Sequence, residues 1–352
     1  MGDIRLCIVG TGTMAAVHAN AFAQIDGVEI VAGVDTKSDR LKGFLAEHGI
    51  GRGFASVEEA LDWGGFDAVS NVTPDPVHYL TTMPLLAAGK HVLCEKPLAT
   101  SFADADEMAR AAAAAGVVNM VNLTYRNVPA MNEAARLVAA GAIGEVRHFE
   151  ASYLQSWLTQ PAWGHWDKES QWLWRLSSAH GSMGVLGDVG VHILDFATHV
   201  AGSKVADLSC RLKSFDKAPG GRIGEYVLDA NDSAVMHLGL ANGAIGVVHA
   251  SRFASGHLND LQLRIFGTMG GLDVRFENKV SRLVGSLGSD MPKAKWAEME
   301  TPPVRTNYQR FVDAIRDGRQ DKPDFARGAS LQKVLDLAVA SDKAQSRRLA
   351  VR

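Results

Sequence analysis

Residues 4–15, with the sequence IRLCIVGTGTMA, decide the fold of the first part of this chain. The mainly apolar run that opens the stretch ends at glycine, which is typical of a strand in a parallel sheet. In the G-x-G-x-x-A pattern that follows, Gly10 permits a tight turn, Gly12 lets the backbone approach a ligand, and Ala15 allows a helix to pack closely on the strand. A helix is predicted over 13–25, so the stretch indicates a strand, a glycine turn and a helix.

The same alternation continues through the first third of the chain. Further strands are predicted over 28–34, 68–72, 91–94 and 117–123, and further helices over 38–48, 77–88 and 104–115. Gly49, Gly51 and Gly53 are interpreted as a break after the helix over 38–48. Strands that alternate with helices indicate a doubly wound parallel sheet with right-handed crossovers.

The pattern changes after about residue 124. Helices are predicted over 129–140, 186–201, 307–317 and 328–346, and strands over 145–154, 205–213, 233–240, 244–252, 261–266 and 271–276. Short glycine- or asparagine-containing turns join several strands, which favours hairpins. The fold class is therefore predicted as α/β, with an N-terminal Rossmann domain over 1–123 and a C-terminal α+β domain over 124–352, whose open sheet is mostly antiparallel.

Composition excludes several classes of protein. The 352 residues carry a net charge of −3 without a basic stripe, so no nucleic-acid partner is expected. No apolar run reaches about 18 residues, so no membrane span is expected. Cys7, Cys94 and Cys210 are few and far apart, which fits free thiols in a reducing compartment. We therefore expect a cytoplasmic protein.

The glycine turn and the acidic residue that follows it have the spacing of a dinucleotide-binding site. The helix N-terminus offers N–H groups and a positive dipole end to a pyrophosphate. Asp35 ends the next strand, about 20 residues further on, where it would bind ribose hydroxyls and repel a 2′-phosphate. This favours NAD, while Lys37 and Arg40 leave NADP open, and a glycine turn that holds no nucleotide is the alternative. The predicted cofactor-binding residues here are Gly10, Gly12, Thr13, Met14 and Asp35.

Two further motifs carry candidate chemistry. Glu95-Lys96-Pro97 follows a predicted parallel strand, and ligands of open α/β sheets bind at such strand ends. Asp188 and His192 are four residues apart in a predicted helix and would share one face. The spacing also suits a metal, but a third ligand is missing, so no metal site is predicted.

With these motifs the chain resembles the Gfo/Idh/MocA family of nicotinamide-dependent sugar and cyclitol oxidoreductases along nearly its whole length. Besides the glycine turn, the matching motifs are Val72-Thr73-Pro74 with His78, Glu95-Lys96-Pro97, Tyr125-Arg126 before Pro129, Gly141-Ala142-Ile143-Gly144, Gly187-Asp188 with His192, and Phe266-Gly267 with Gly270. The pair of Glu-Lys-Pro and Gly-Asp-x-Gly-x-His is far more specific than the glycine turn.

The resemblance implies catalytic roles for three residues. Lys96 matches the lysine that hydrogen-bonds the reacting hydroxyl, His192 the proton acceptor, and Asp188 its acidic companion. General chemistry agrees, because oxidation of an alcohol needs a base near neutrality and a cation beside the developing alkoxide. On the cofactor side the resemblance implies Thr73, Pro74, His78, Glu95, Lys96 and Arg126. The open sheet implies a homodimer or homotetramer.

Each residue also has a structural alternative. Lys96 would be a surface ammonium, His192 a core histidine, and Asp188 a helix N-cap. Glu95 would only support its turn, and Arg126 would only form an ion pair. His78 would lie on a helix surface.

A tryptophan-rich segment over 157–175 precedes the Asp188–His192 helix. Aromatic faces stack on sugar rings, so Trp163, Trp166 and Arg175 are predicted to contact substrate. The alternative is that the tryptophans pack in a core or an interface. Asn122, at a strand end, is a further substrate candidate, besides Lys96, Asp188 and His192.

The predicted function is oxidation of a ring hydroxyl of a sugar, polyol or cyclitol to a ketone by hydride transfer to NAD(P). Inositol-like and anhydrosugar substrates are favoured. The alternatives are a glycosidase that uses NAD for transient oxidation and elimination, and a nucleotide-sensing regulator without turnover. The presence of Lys96, Asp188 and His192 argues against the regulator.

Overall fold

The computed structural model describes residues 3–161 and 163–352, and its first part is a parallel sheet with helices between the strands. The strands up to residue 123 are β1 (Ile4–Val9), β2 (Val28–Val34), β3 (Arg52–Phe54), β4 (Ala68–Asn71), β5 (His91–Cys94) and β6 (Asn119–Val121). The helices between them are α1 (Thr13–Phe22), α2 (Ser38–His48), α3 (Val57–Trp63), α4 (His78–Ala87) and α5 (Phe102–Ala115). Within the described residues the sheet has six strands in the order β3-β2-β1-β4-β5-β6, which is the doubly wound order.

The glycines after α2 were interpreted as a break, which is right for the end of the helix, but β3 and α3 were not predicted. Gly49 ends α2 in the left-handed conformation, but the chain then returns to the sheet and pairs β3 with β2. A Cβ on Gly53 of β3 would lie 2.6 Å from a terminal methyl of Leu45, so a larger residue there would require that side chain to shift. Ser56 caps α3 by accepting a hydrogen bond from the backbone N–H of Glu59.

From residue 124 onward the chain builds a second, larger sheet. Its strands and those of a separate hairpin are β7 (Val146–Leu154), β8 (Val205–Lys213), β9 (Arg222–Ile223), β10 (Tyr226–Val227), β11 (Ser233–Leu240), β12 (Ile245–Ser251), β13 (Asp260–Gly267), β14 (Gly270–Glu277), β15 (Val280–Leu287), β16 (Ala297–Glu298) and β17 (Leu349–Ala350). The helices are α6 (Pro129–Ala139), α7 (Ser170–Leu173), α8 (Val191–Val200), α9 (Asn307–Asp317) and α10 (Phe325–Lys343). The sheet order is β16-β15-β14-β13-β7-β12-β11-β8-β17, and β15 had not been predicted.

The second sheet is mixed and mostly antiparallel. Strands β7 and β12 pair in parallel, whereas the other neighbours pair antiparallel. On β11, Ala234, Met236 and Leu238 are buried while Val235 and His237 are exposed, so one face is packed and the other is open. Helix α6 packs against β14 and β15, and α8 packs against β7 and β12. The predicted fold class is confirmed.

The chain divides into two compact units that do not follow the sequence without interruption. The first unit holds the residues up to 123 together with 305–332, and the second holds 124–304 and 333–352. We had assigned the whole of 124–352 to one domain. Helix α9 belongs to the first unit because Tyr308 and Phe311 pack edge-on against Phe22 of α1, with ring centroids 5.2 and 6.5 Å away.

In the part of the chain that the structure describes, no helix is both long and apolar enough to cross a bilayer.

Candidate active site

The glycine turn between β1 and α1 has room for an anion. Gly10 has a φ of +87°, and a Cβ there would lie 2.8 Å from the carbonyl group of Val72, so glycine is required. A Cβ on Gly12 would meet no atom within 4 Å, which leaves space for a ligand against the backbone. Helix α1 begins without a side-chain cap or an acidic residue in its first turn, and Thr13 and Met14 are exposed. These features fit a dinucleotide pyrophosphate.

Asp35 lies at the end of β2 with both carboxylate oxygens engaged. Thr11 donates to it from its backbone N–H at 2.9 Å and from its hydroxyl at 2.8 Å, and the Lys37 backbone N–H donates at 2.8 Å. The Arg40 guanidinium adds two hydrogen bonds of 2.9 and 2.7 Å. Burial works to raise the pKa of Asp35, but these donors outweigh it and lower the pKa to about 2. The carboxylate is thus ionised and paired with a half-exposed arginine.

The Glu95-Lys96-Pro97 turn follows β5, and the Glu95 carboxylate lies buried beneath it. His18 of α1 lies 2.8 Å from that carboxylate, and the Asn122 side-chain amide donates to it at 2.7 Å. The Lys96 backbone N–H also donates, at 3.2 Å. Burial works to raise the pKa of Glu95, but His18, Lys96 and Asn122 lower it to about 2. A buried anion therefore supports the half-exposed Lys96.

Asn122 was predicted to contact substrate, but in the structure it supports the Glu95 carboxylate. Its side chain is 0% exposed, and its amide donates to Glu95 and to the Tyr308 hydroxyl, the latter at 3.2 Å. His18 had not been singled out from the sequence. Its signal was a histidine in the apolar helix that follows the glycine turn.

His78 lies at the start of α4, and its ring is fully buried rather than on a helix surface. Its Nδ1 lies 2.8 Å from the carbonyl oxygen of Pro97, and its Nε2 lies 2.8 Å from that of Thr73. Both ring nitrogens are therefore used by backbone groups of the same unit. Thr73 is half-buried and Pro74 is exposed, so these two can face a ligand at the strand end.

In the second unit, Asp188 is held by an arginine that the sequence analysis did not identify. Arg252, which directly follows β12, is 0% exposed and donates to the Asp188 carboxylate at 3.0 Å. The same guanidinium donates to the Arg175 carbonyl at 3.1 Å and lies 4.9 Å over the Trp157 ring. Asp188 itself lies in a π-helical turn, Leu186–Gly190, a feature frequent at functional sites.

His192 lies in the first turn of α8 and is 7% exposed. Tyr125 packs edge-on against its ring with centroids 5.0 Å apart. The hydroxyls of Tyr125 and Tyr153 are 2.5 Å apart, and the Asn259 amide donates to Tyr125 at 2.9 Å. Burial raises the pKa of Tyr125 to about 12, so this phenol stays neutral near pH 7. The ring of His192 is thus fixed by aromatic packing.

Arg126, a predicted cofactor residue, forms the ion pair that had been its alternative. It is buried and donates to both carboxylate oxygens of Asp195, at 2.6 and 2.8 Å. Its third nitrogen lies 2.8 Å from His199. These contacts engage the guanidinium within the second unit, and a cofactor contact of Arg126 stays a prediction.

The tryptophan-rich segment is partly a core and partly exposed. Trp157 is buried in a cluster with Leu158, Leu173, Leu176 and Leu228, and Trp166 and Trp172 pack against it. Trp163 is 36% exposed and stacks on Trp172 with centroids 6.4 Å apart, and Arg175 lies 4.6 Å over Trp174. Packing therefore accounts for Trp157 and Trp172, while substrate contact of Trp163, Trp166 and Arg175 stays a prediction.

Comparison with known proteins agrees with this arrangement over the length of the chain. A family model described as an oxidoreductase family with an NAD-binding Rossmann fold matches residues 4–123, and the GFO/IDH/MocA C-terminal domain matches residues 131–273. An oxidoreductase domain protein from Kribbella flavida has a crystal structure that is 30% identical in sequence, with a TM-score of 0.88 and 100% of both chains covered.

Levoglucosan dehydrogenase is a further relative. The enzyme from Pseudarthrobacter phenanthrenivorans is 24% identical over 98% of this chain and 98% of its own. A structure of levoglucosan dehydrogenase in complex with NADH and L-sorbose is 25% identical, with a TM-score of 0.88 and 100% of both chains covered. With the fold, the glycine turn and both domain matches in agreement, the chain belongs to the GFO/IDH/MocA family of NAD-binding oxidoreductases.

Proposed function

We propose that this protein is an NAD-dependent dehydrogenase that oxidises a ring hydroxyl of a sugar, anhydrosugar or cyclitol to a ketone. The observation that carries the proposal is the ion pair between Arg252 and Asp188, which fixes a charged carboxylate four residues before the packed imidazole of His192. A carboxylate and an imidazole held in this way suit the binding of a polyhydroxy compound and the removal of a hydroxyl proton.

Each group has one task in this reaction. The nicotinamide, when bound, accepts the hydride from the carbon. His192 accepts the hydroxyl proton, and the Lys96 ammonium donates a hydrogen bond that stabilises developing negative charge on oxygen. Asp188 accepts a hydrogen bond from a substrate hydroxyl and so orients the ring. Loss of one hydride and one proton converts the alcohol into a ketone.

The relatives that are named for an anhydrosugar and for inositols support that substrate class. Levoglucosan dehydrogenase is named for an anhydrosugar, and the likeness extends over the whole of this chain. The exposed Trp163 face in the second unit suits stacking on such a ring. We also propose a homodimer or homotetramer through the open face of the second sheet, where Val235 and Ile245 are 44% and 62% exposed. Light scattering in solution measures this state.

The first test is nicotinamide absorbance with a panel of anhydrosugars, inositols, pentoses, hexoses and glycosides, each with NAD and with NADP. We expect reduction of NAD by one class of cyclic compound. Cleavage of a glycoside without net reduction would support the glycosidase alternative. Cofactor binding with no turnover of any compound would support the regulator.

A further inference from the structure

We propose that His78 is a positively charged positioning residue that joins the turn after β4 to the Lys96–Pro97 turn and thereby sets the position of the Lys96 ammonium. The charge of His78 is a property of the first unit alone. The effect on Lys96 rests on the proposed function.

The charge follows from the partners of the ring. Both nitrogens of His78 lie 2.8 Å from backbone carbonyl oxygens, one of Pro97 and one of Thr73. A carbonyl oxygen can only accept a hydrogen bond, and a neutral imidazole has a single N–H donor. Two good hydrogen bonds therefore need the doubly protonated ring, and because His78 is 0% exposed, water cannot replace either partner.

Three titratable groups lie around the ring or in the turn that it holds, and the carboxylate of Asp75 favours the charged ring, whereas the ammonium of Lys96 opposes it. Asp75 lies on the turn that precedes α4, Cys94 ends β5 beside the ring, and Lys96 lies in the turn that the ring holds. Burial works to lower the pKa of His78, but Cys94, Asp75 and the Pro97 carbonyl outweigh it and raise the pKa to about 10.

His91, in the same unit, shows the opposite arrangement. Its Nδ1 lies 3.0 Å from the backbone N–H of Val118, which donates to it, so that nitrogen carries no proton. Burial lowers the pKa of His91. The two histidines differ in whether the backbone presents them with acceptors or with a donor, so His91 is a matched control.

His78 bears on Lys96 because the turn is held on both sides of that residue. The Lys96 N–H donates to Glu95, and the carbonyl of the following residue, Pro97, accepts from His78. Thr73, the other partner, is itself fixed, since its N–H and hydroxyl both donate to Asn71 at 3.2 and 2.8 Å. Loss of the His78 hydrogen bonds would release one side of the lysine.

The test of the charge is NMR of protein with ¹⁵N-labelled histidine rings at about pH 8.5, where an ordinary histidine is neutral. We expect a doubly protonated ring whose signal disappears in His78→Asn and persists in His91→Gln. In Asp75→Asn, which leaves His78 in place, the same signal should titrate at lower pH. If no doubly protonated ring at that pH responds to either His78→Asn or Asp75→Asn, the charge is refuted, including where His78→Asn does not fold.

The test of positioning uses two variants that each keep one donor. Asparagine places its amide near the former Nδ1 and preserves the bond to Pro97, whereas glutamine reaches the former Nε2 position and preserves the bond to Thr73. We expect His78→Gln to lower kcat about tenfold or more and His78→Asn to lower it less, with NADH affinity unchanged within about threefold. Equal kcat in both variants and the wild type would overturn the positioning role. Failure of the proposed function would appear separately, as an inactive wild type whose doubly protonated ring is still observed.

Discussion

The two units support their functional charges in opposite ways. In the first unit the carboxylate of Glu95 is buried, and the neighbouring ammonium of Lys96 is half-exposed. In the second unit the guanidinium of Arg252 is buried, and the side chain of its partner Asp188 is 31% exposed. In each pair the buried member is the partner of a predicted site residue, and the two buried members have opposite charges.

The backbone around Lys96 and around Asp188 explains why the two residues are supported by different contacts. Lys96 follows a strand whose end is fixed by the sheet, so hydrogen bonds to the turn at Glu95 and Pro97 are sufficient. Asp188 lies in a widened helical turn without a strand ladder. The support there is a direct ion pair with Arg252, which follows the neighbouring strand β12.

The largest expected effect is on the presented cation. Lys96→Met should lower kcat by about 10³-fold, because the developing negative charge on the oxygen loses its donor. Steady-state kinetics with the substrate found in the panel measures this. Lys204→Met, at an exposed lysine of the second unit, is the control and should leave kcat unchanged. Comparable activity of Lys96→Met and the wild type would remove Lys96 from the mechanism.

The next effect concerns the buried cation. Arg252→Met should lower the free energy of unfolding by about 3 kcal/mol, because it removes the ion pair with Asp188 and the packing on Trp157. Chemical denaturation measures the change. Arg282→Met breaks a surface pair with Glu298 and should cost about 1 kcal/mol or less. If the two variants were equally stable, the Arg252 pair would not support the site.

The buried anion should contribute less, and with a defined pH dependence. Glu95→Gln keeps the shape and an acceptor oxygen, so we expect a loss of about 1–2 kcal/mol near pH 7. The folded pKa of Glu95 is lowered to about 2, so its contribution is present above about pH 4.5 and is lost as the pH falls towards 2. Denaturation curves of both proteins at several pH values should therefore converge in acid. A difference that is constant with pH would contradict the ionised state.

The next prediction concerns the choice between NAD and NADP in the first unit, where Asp35 is a further paired anion. Arg40→Ala removes the cation that neutralises Asp35, and the uncovered carboxylate should repel a 2′-phosphate. We expect kcat/KM with NADP to fall about tenfold relative to that with NAD, which corresponds to about 1.4 kcal/mol. Assays with both cofactors measure this ratio, with Lys42→Ala at an exposed position of α2 as control. An unchanged ratio would show that Arg40 does not govern selectivity.

The smallest effect is expected at the exposed end of the tryptophan-rich segment. Trp163→Ala should change the free energy of unfolding by less than about 1 kcal/mol, because the ring is 36% exposed, but should raise KM for the sugar. Trp296→Ala, at a ring that is 44% exposed, is the control. Unchanged KM and specificity in Trp163→Ala would leave packing as the role of this segment.

Much of the fold and of the candidate site followed from local sequence patterns. The bounds predicted for β1, β2, α2, β5, β8 and β11 agree with the structure. The three-residue strand β3 was missed because it contains Gly53, follows Gly49 and Gly51, and has no alternation that a strand pattern could show. Strand β15 was missed although its residues are largely apolar and small.

The supporting residues could not be predicted because their partners are distant in sequence. Arg252 and Asp188 are 64 residues apart, Asn122 and Glu95 are 27 apart, and Asn122 and Tyr308 are 186 apart. A single sequence shows the residue types but not which of them become neighbours. Burial of Arg252 and of His18 is likewise set by what surrounds them.

The sequence by itself determined the parallel sheet, the glycine turn, the acidic end of β2 and the strand-end place of Lys96, because periodicity and turn chemistry act over a few residues. Three features are visible only in the tertiary structure. Helix α9 belongs to the first unit, Asn122 supports Glu95, and Arg252 pairs with Asp188. These three features depend on packing between residues that are distant in sequence, because polar groups that become buried need hydrogen-bond partners.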